Sequence, residues 1–98
     1  MDQDPRVERY AEMHRKFLED NNPAVLKGMP SSDRQSYLSS VGEQANSMFL
    51  TLMRQYKESL EKQKVPHLQL VQSLQSHRHE AEEVVLHDVI FQPLPETD

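Results

Sequence analysis

Three side chains near the carboxyl end of the chain have the types and spacing of a metal site. His79, Glu83 and His87 recur every four residues, so a helix would place two imidazoles and a carboxylate along one face. Such groups at positions i and i+4 can hold zinc or another divalent cation. Their order differs from the H-E-x-x-H order of zinc proteases, and ordinary i, i+4 contacts produce the same pattern. We interpret the three as a polar helical face and keep a metal site as the alternative.

The sequence contains no motif for nucleophilic catalysis or for nucleotide binding. The 98 residues include no cysteine, which excludes thiolate nucleophiles, zinc–thiolate sites and disulfides. No serine lies in a Gly-x-Ser-x-Gly sequence, and two glycines are too few for a phosphate-binding or dinucleotide-binding loop. We therefore expect a protein that is not an enzyme and uses no cofactor.

Charge is distributed unevenly along the chain, whose net charge is −5. Residues 66–98 carry one Arg, no Lys and six acidic side chains, whereas residues 34–65 carry five Lys and Arg and three acidic ones. An acidic surface can occupy the basic groove of a nucleic-acid enzyme and compete with its substrate. The alternative is an ordinary solvated acidic face. Four carboxylates form this candidate partner-binding surface: Glu80, Glu82, Glu83 and Asp88.

A second candidate surface is the basic side of the first helix, where Arg6, Arg9, Arg15 and Lys16 could contact phosphates. Four acidic residues on the same helix dilute this patch, and the net negative charge disfavours general binding to nucleic acid. Arg9 and Arg15 could instead form ion pairs with the acidic C-terminal helix, for example with Glu83. We keep both interpretations.

The elements that would position these residues are helices. Asp4 is a good N-cap and Pro5 a good first helical residue, and apolar residues at steps of three and four continue to about Asp20. Asn22 can then cap a short helix that ends at Gly28. The first helix is therefore predicted to present one apolar face to a core.

The longest predicted helix runs from about residue 32 to residue 64, roughly 50 Å at 1.5 Å per residue. Ser31 or Ser32 is its expected N-cap, with Gln35 closing a capping box. Gly42 lies inside the helix, where it indicates either a bend or close packing against a neighbouring helix. The apolar pattern alone does not decide between these two roles.

The centre of the long helix is apolar nearly all round. Met48, Phe49 and Met53 widen its apolar face, so they belong either to the core or to a partner-binding surface. Hydrophobic residues make up only 36% of the chain, and the mean hydropathy is −0.80. Because so few apolar side chains must offset the entropy of ordering the chain, we expect a homodimer or a larger protein partner.

The last helix is predicted to begin near Leu68. Residues 84–91 are rich in β-branched side chains, so a strand is an alternative there. We favour helix, because the sequence offers no second strand to pair with it. The fold class is therefore all-α: a small bundle of three main helices and one short helix, with the long helix at its centre. We expect one helical domain over residues 1–92 and a flexible acidic tail over residues 93–98.

Both ends of the chain resemble a known family. At the amino end the resemblance rests on Arg9, Tyr10, Met13, Arg15, Phe17, Leu18 and Pro23, and at the carboxyl end on residues 80–91. This pattern is similar to the transposon-encoded protein TnpV family. The resemblance implies a small helical protein carried on a mobile element, and it implies no catalytic site.

These observations lead to one functional hypothesis and two alternatives. The hypothesis is a non-catalytic, cytoplasmic protein-binding module without a membrane segment. One version is an inhibitor of a host nucleic-acid-targeting defence enzyme such as a CRISPR nuclease, which would bind the acidic helical surface. The first alternative is a DNA-binding accessory or regulatory factor of a transposon. The second is a metal-dependent enzyme that uses His79, Glu83 and His87.

Overall fold

The computed structural model of the chain describes residues 4–93. A π-helical segment, Leu86–Ile90, directly continues the last α-helix. No strand occurs within residues 4–93, which confirms the all-α prediction with a long central helix. The predicted tail, residues 93–98, lies outside the described range except for its first residue. The α-helices of residues 4–93 are α1 Pro5–Asn21, α2 Pro23–Gly28, α3 Ser31–Lys62 and α4 His67–Val85.

α1 begins as its sequence predicts. The Asp4 carboxylate accepts a hydrogen bond of 3.0 Å from the backbone N–H of Arg6. Pro5 follows at the first helical position, where no N–H is needed. The helix ends at Asn21, one residue beyond the predicted end. Its buried face consists of Val7, Tyr10, His14 and Leu18.

The side-chain caps predicted for α2 and α3 are not formed. Asn22 occupies the N-cap position of α2, but its side chain makes no capping hydrogen bond. Pro30 is the N-cap of α3, and its carbonyl accepts the N–H of Arg34 at 2.9 Å. α3 therefore starts one residue too early for Ser31 to be its cap and two too early for Ser32, and the predicted capping box is wrong.

Gly42 does not interrupt α3, which is continuous from Ser31 to Lys62. The glycine instead lets α1 approach closely. A Cβ atom at position 42 would lie 2.3 Å from the carbonyl oxygen of Val7 and 3.1 Å from its Cγ1. Of the two roles that the sequence left open, close packing is therefore the one adopted.

The carboxyl end is helical, so the strand alternative for residues 84–91 is wrong. After Val85 the helix widens, and the N–H of Phe91 donates to the carbonyl of Leu86 at 2.7 Å. This i to i−5 bond is the π-helical spacing, and it places the consecutive residues Val89 and Ile90 both in the interior. The β-branched side chains thus fill the core from a helix.

The molecule consists of two regions along α3. The first, called the body, comprises residues 4–49 and 79–93. In it α1 runs antiparallel to the N-terminal half of α3, and the end of α4 and the π-helical segment pack on these helices. The second, called the hairpin, comprises residues 50–78, where α3 and α4 pack on each other and no residue is buried. The core cluster accordingly lies wholly in the body: Tyr10, Val41, Ala45, Phe49, Ala81, Val85, Val89 and Ile90.

The N-terminus of α1 lies at the boundary between these two regions, and α1 does not contact α3 beyond it. Its N-cap residue Asp4 accepts a hydrogen bond from Asn46, and Arg6 lies over the ring of Phe49. Beyond Phe49, α3 extends past the start of α1 and contacts α4. Among residues 4–93, no helix has the combined length and apolar character needed to cross a membrane.

Candidate functional site

The three residues with metal-ligand spacing do not converge. His79 Nε2 lies 3.0 Å from Glu83 Oε1, whereas His87 Nδ1 lies 2.9 Å from the neighbouring Asp88 Oδ1. His87 belongs to the π-helical segment, whose wider turn departs from the α-helical spacing that would align it with the other two. Within residues 4–93, no three His, Asp or Glu side chains are arranged to hold a metal ion.

The four candidate carboxylates of the acidic surface each lie beside a basic side chain. Glu80 lies 3.1 Å from His77, and Glu83 and Asp88 lie beside His79 and His87 as described above. These three carboxylates are exposed on the outer face of the carboxyl-terminal helix. Glu82 differs, because it is half-buried and bonded to α1.

An ion pair joins the two ends of the chain. Arg9 Nη2 donates to Glu82 Oε1 at 2.7 Å. Desolvation is the largest single effect on the pKa of Arg9 and lowers it, but the hydrogen bond to Glu82 and the charge of Glu82, with smaller effects of Tyr10, together outweigh it and raise the pKa of the guanidinium. The predicted bridge from Arg9 to the acidic helix is thus confirmed, with Glu82 rather than Glu83 as the acceptor.

The other basic residues of α1 do not reach the C-terminal helix. Arg15 hydrogen-bonds to Glu12 and Glu19 of its own helix, so the predicted bridge from Arg15 is wrong. The hydrogen bond from Arg15 also lowers the pKa of the Glu12 carboxyl. Arg6 lies 3.3 Å from Asp4 and 4.8 Å from the centre of the Phe49 ring. Among the four candidate phosphate contacts, Lys16 is the one without an ion pair in residues 4–93.

His14 of α1 connects three helical segments, a role that its sequence position does not predict. It is 1% exposed. Its Nδ1 lies 2.7 Å from the carbonyl oxygen of Ile90, and its Nε2 lies 2.9 Å from the hydroxyl of Tyr37. Because a carbonyl oxygen only accepts, Nδ1 carries the proton and donates it. One imidazole therefore ties α1, α3 and the π-helical segment together, next to the contact between Phe17 and Phe91.

The apolar candidates on the long helix divide between core and surface. Phe49 is 2% exposed, so its side chain is a core element and is not available to a partner. Met48 and Met53 are partly buried and pack against the core. Met53 also lines a surface groove, which makes it the member of the three that remains a candidate for partner contact.

That groove lies between α3 and α4 where the hairpin leaves the body, and its volume is about 350 Å³. Its apolar lining includes Leu50 and Val71, which are 48% and 41% exposed. Sequence reasoning missed this site, although Leu50, Met53 and Leu74 could have signalled it as apolar residues in excess of one core face. The remaining lining residues are Arg6, Phe49, Gln75 and Arg78.

A larger depression of about 730 Å³ lies between α1 and the N-terminal half of α3. Serines and charged side chains line most of it, with Val7, Ala11 and Leu38 as its apolar residues. Among its four charged residues, Arg15 is already paired within α1. The lining of the depression is therefore much more polar than that of the groove of the hairpin.

The architecture defines a small all-helical protein with one long helix, whose carboxyl-terminal half is covered on one side alone. The sequence pattern of the transposon-encoded protein TnpV family matches residues 1–90, and the chain belongs to that family. The match confirms the resemblance inferred from the two ends. Comparison with curated proteins and with solved structures finds no match.

Proposed function

We propose that this transposon-encoded protein is a non-catalytic protein-binding module that uses the groove of its hairpin. The observation that carries the proposal is the joint exposure of Leu50 and Val71 in one groove. Removing apolar surface from water is favourable by about 25 cal/mol per Å². A protein partner that covers the groove would gain this free energy, which the isolated chain leaves unrealised.

The groove is also placed to accept another helix. In the body, α1 supplies a third element against α3, whereas the hairpin has α3 and α4 alone. Helix pairs of this kind gain stability when a third helix covers their shared apolar face. A partner helix in the groove would therefore complete the packing that α1 provides in the body.

A narrower version of the proposal is inhibition of a host nucleic-acid-targeting defence enzyme through the acidic surface. Its support is the exposure of Glu80, Glu83 and Asp88 and the negative charge of the last third of the chain. Glu82 would contribute less, because Arg9 already neutralises it. DNA binding through α1 has weaker support, since Arg6, Arg9 and Arg15 all have carboxylate partners.

Affinity purification from host lysate with three baits tests the groove. The baits are the unmodified protein, the double variant Leu50→Glu/Val71→Glu, and the control Val84→Glu, which alters an exposed valine outside the groove. We expect a protein that is recovered with the unmodified chain and the control but is lost with the double variant. Recovery with all three baits, or with none, would contradict binding through the groove.

The acidic version has its own test. Replacing Glu80, Glu83 and Asp88 with glutamine or asparagine would abolish inhibition of a basic nuclease if the carboxylates occupy its groove. Retarded migration of duplex DNA at low salt would instead favour the DNA-binding alternative. Each outcome supports one of the two functions and counts against the other.

A further inference from the structure

We propose that the groove of the hairpin binds an acidic amphipathic α-helix of a partner protein. The proposal rests on the proposed function, since it names the chemistry of the partner that the groove would receive. Two features of the groove carry it: an open apolar floor, and edges that hold Arg6 and Arg78 but no carboxylate, with Arg78 outside any ion pair in residues 4–93.

The floor has the shape and composition to receive a helix. Leu50 and Met53 lie on one turn of α3, and Val71 and Leu74 lie on the facing turn of α4. Two apolar ridges of this kind form a trough that can take side chains spaced at i, i+3 or i+4, and i+7. Arg6 of α1 closes one end, so an incoming helix would lie ahead of the first turn of α1.

The charged residues at the edges of the groove favour a partner with negative charge. No Asp or Glu lines the groove, whereas Arg6 and Arg78 do. Nearby carboxylates are already engaged, because Asp4 pairs with Arg6 and Glu82 pairs with Arg9. Arg78 has no carboxylate within 4.0 Å in the described part of the chain, and its charge therefore remains available to a ligand.

The wider surroundings of the groove have the same sign. The hairpin carries five Lys and Arg residues and two Glu residues, although the whole chain has a net charge of −5. Arg54 follows Leu50 by one helical turn, and it too lacks an ion pair within residues 4–93. A partner helix with carboxylates beside its apolar stripe would thus meet a locally positive surface.

The same charges argue against a second copy of this chain as the occupant. Packing the groove of one copy on the groove of another would cover Arg78 of both copies, and neither groove has a carboxylate in its lining to pair with it. An unpaired charge is unfavourable when water is excluded from it. An acidic helix has the opposite effect, because each of its carboxylates gains a cation.

A pair of synthetic helical peptides tests the proposal directly. Both have about 18 residues, or roughly 27 Å of helix, with leucine at i, i+3 or i+4, and i+7. One carries glutamate at the positions that flank the leucines, and the other carries lysine there. Titration of the isotope-labelled protein by NMR reports both the affinity and the residues contacted.

We expect the glutamate peptide to shift the amide signals of Leu50, Met53, Val71 and Leu74 and to bind at least about tenfold more tightly than the lysine peptide. Its affinity should fall as salt rises from about 0.05 to about 0.5 M, because screening weakens the contacts with Arg78. The chain's net charge of −5 would favour the lysine peptide. A preference for glutamate therefore has to come from the local charge of the groove.

Two matched variants separate the groove from general charge effects. Arg78→Glu should remove the preference for the glutamate peptide, whereas Lys62→Glu makes the same charge change at an exposed position outside the groove and should leave it. Tighter binding of the lysine peptide, or no shifts in the groove at millimolar peptide, would overturn the proposal. So would an unchanged preference in Arg78→Glu.

Different results would overturn the acidic-helix proposal and the proposed protein-binding function. A lysate protein that depends on Leu50 and Val71 but presents a basic helix would overturn the acidic partner and leave the protein-binding function in place. Absence of any groove-dependent partner, together with peptide binding, would overturn the proposed function alone.

Discussion

The body and the hairpin share one continuous helix but differ in what covers it. From Val41 to Phe49, α3 packs against α1 on one side and against the carboxyl-terminal helix on another, and it contributes four buried residues. From residue 50 onward α3 packs on α4, and nothing in the hairpin is buried. The difference shows that the apolar residues of a long helix form a core only where a third element reaches them.

The two regions also differ in how they are held together. The body combines the His14 hydrogen bonds, the Arg9–Glu82 ion pair and the close approach at Gly42. The hairpin relies on side-chain contacts between two helices, such as the stacking of Tyr56 on His77 at 4.4 Å. We therefore expect stability to reside in the body and adaptability in the hairpin.

The sharpest test of the contrast compares two adjacent residues. Phe49→Ala removes a buried ring from the body and should lower the free energy of unfolding by about 3–5 kcal/mol. Leu50→Ala removes a half-exposed side chain at the start of the hairpin and should lower it by less than about 1 kcal/mol. Urea unfolding followed by circular dichroism measures both. Equal losses would mean that the hairpin is as tightly packed as the body.

Close packing at Gly42 gives the next largest effect. The Cβ atom in Gly42→Ala would meet the Val7 carbonyl, so α1 must move, at a cost of about 1–3 kcal/mol. This cost exceeds the gain in helix propensity of about 1 kcal/mol. Gly28→Ala is the matched control, because a Cβ there meets nothing within 4 Å. A Gly42→Ala variant as stable as the control would contradict the close approach.

We expect a smaller effect from the Arg9–Glu82 ion pair, which joins α1 to α4 in the body. A double-mutant cycle with Arg9→Ala and Glu82→Ala should give an interaction free energy of about 0.3–1 kcal/mol, since both side chains are partly exposed. The same cycle on Arg9 and Glu83 should give no coupling. Coupling to Glu83 in place of Glu82 would mean that the C-terminal helix is rotated from its position here.

The smallest expected effect is on the stability of the protein at low pH. Arg15 lowers the pKa of Glu12 below its ordinary value in the folded protein, so the stabilisation is present above that value. It is lost as the pH falls through the lowered pKa. We expect the urea midpoint of the unmodified protein to fall more between pH 5 and about pH 2 than that of Glu12→Gln. Parallel curves would show that Arg15 contributes nothing through Glu12.

The sequence predicted those features that depend on local chemistry. Asp4 and Pro5 start α1, and the apolar steps of three and four place α1 and α3. The lack of a pairing strand in the sequence favoured helix over strand at residues 84–91, of which 84–90 are helical. Gly42 marked either a bend or close packing, and only the contact with Val7 decides between them. Local patterns also failed at the caps, since Pro30 rather than a serine precedes α3.

Features that depend on tertiary arrangement could not be predicted. Glu82 and Glu83 are neighbours in the chain, and the rotation of α4 decides which of them reaches Arg9. His14 bonds to the carbonyl of Ile90, which is free to accept because it lies at the end of the π-helical segment. The groove exists because α1 begins opposite Phe49 and leaves Leu50 uncovered. Nothing in the local pattern around Leu50 specifies where another helix starts.

Native-state hydrogen exchange of the isolated protein tests the division into body and hairpin most directly. We predict that backbone amides in residues 41–49 and 81–90 exchange only through global unfolding, because they lie in or beside the core. Amides of residues 51–77 should exchange through a smaller opening, with a lower free energy and a weaker dependence on denaturant. Equal protection of both sets would contradict the account, since it would mean that the hairpin is covered or packed as firmly as the body.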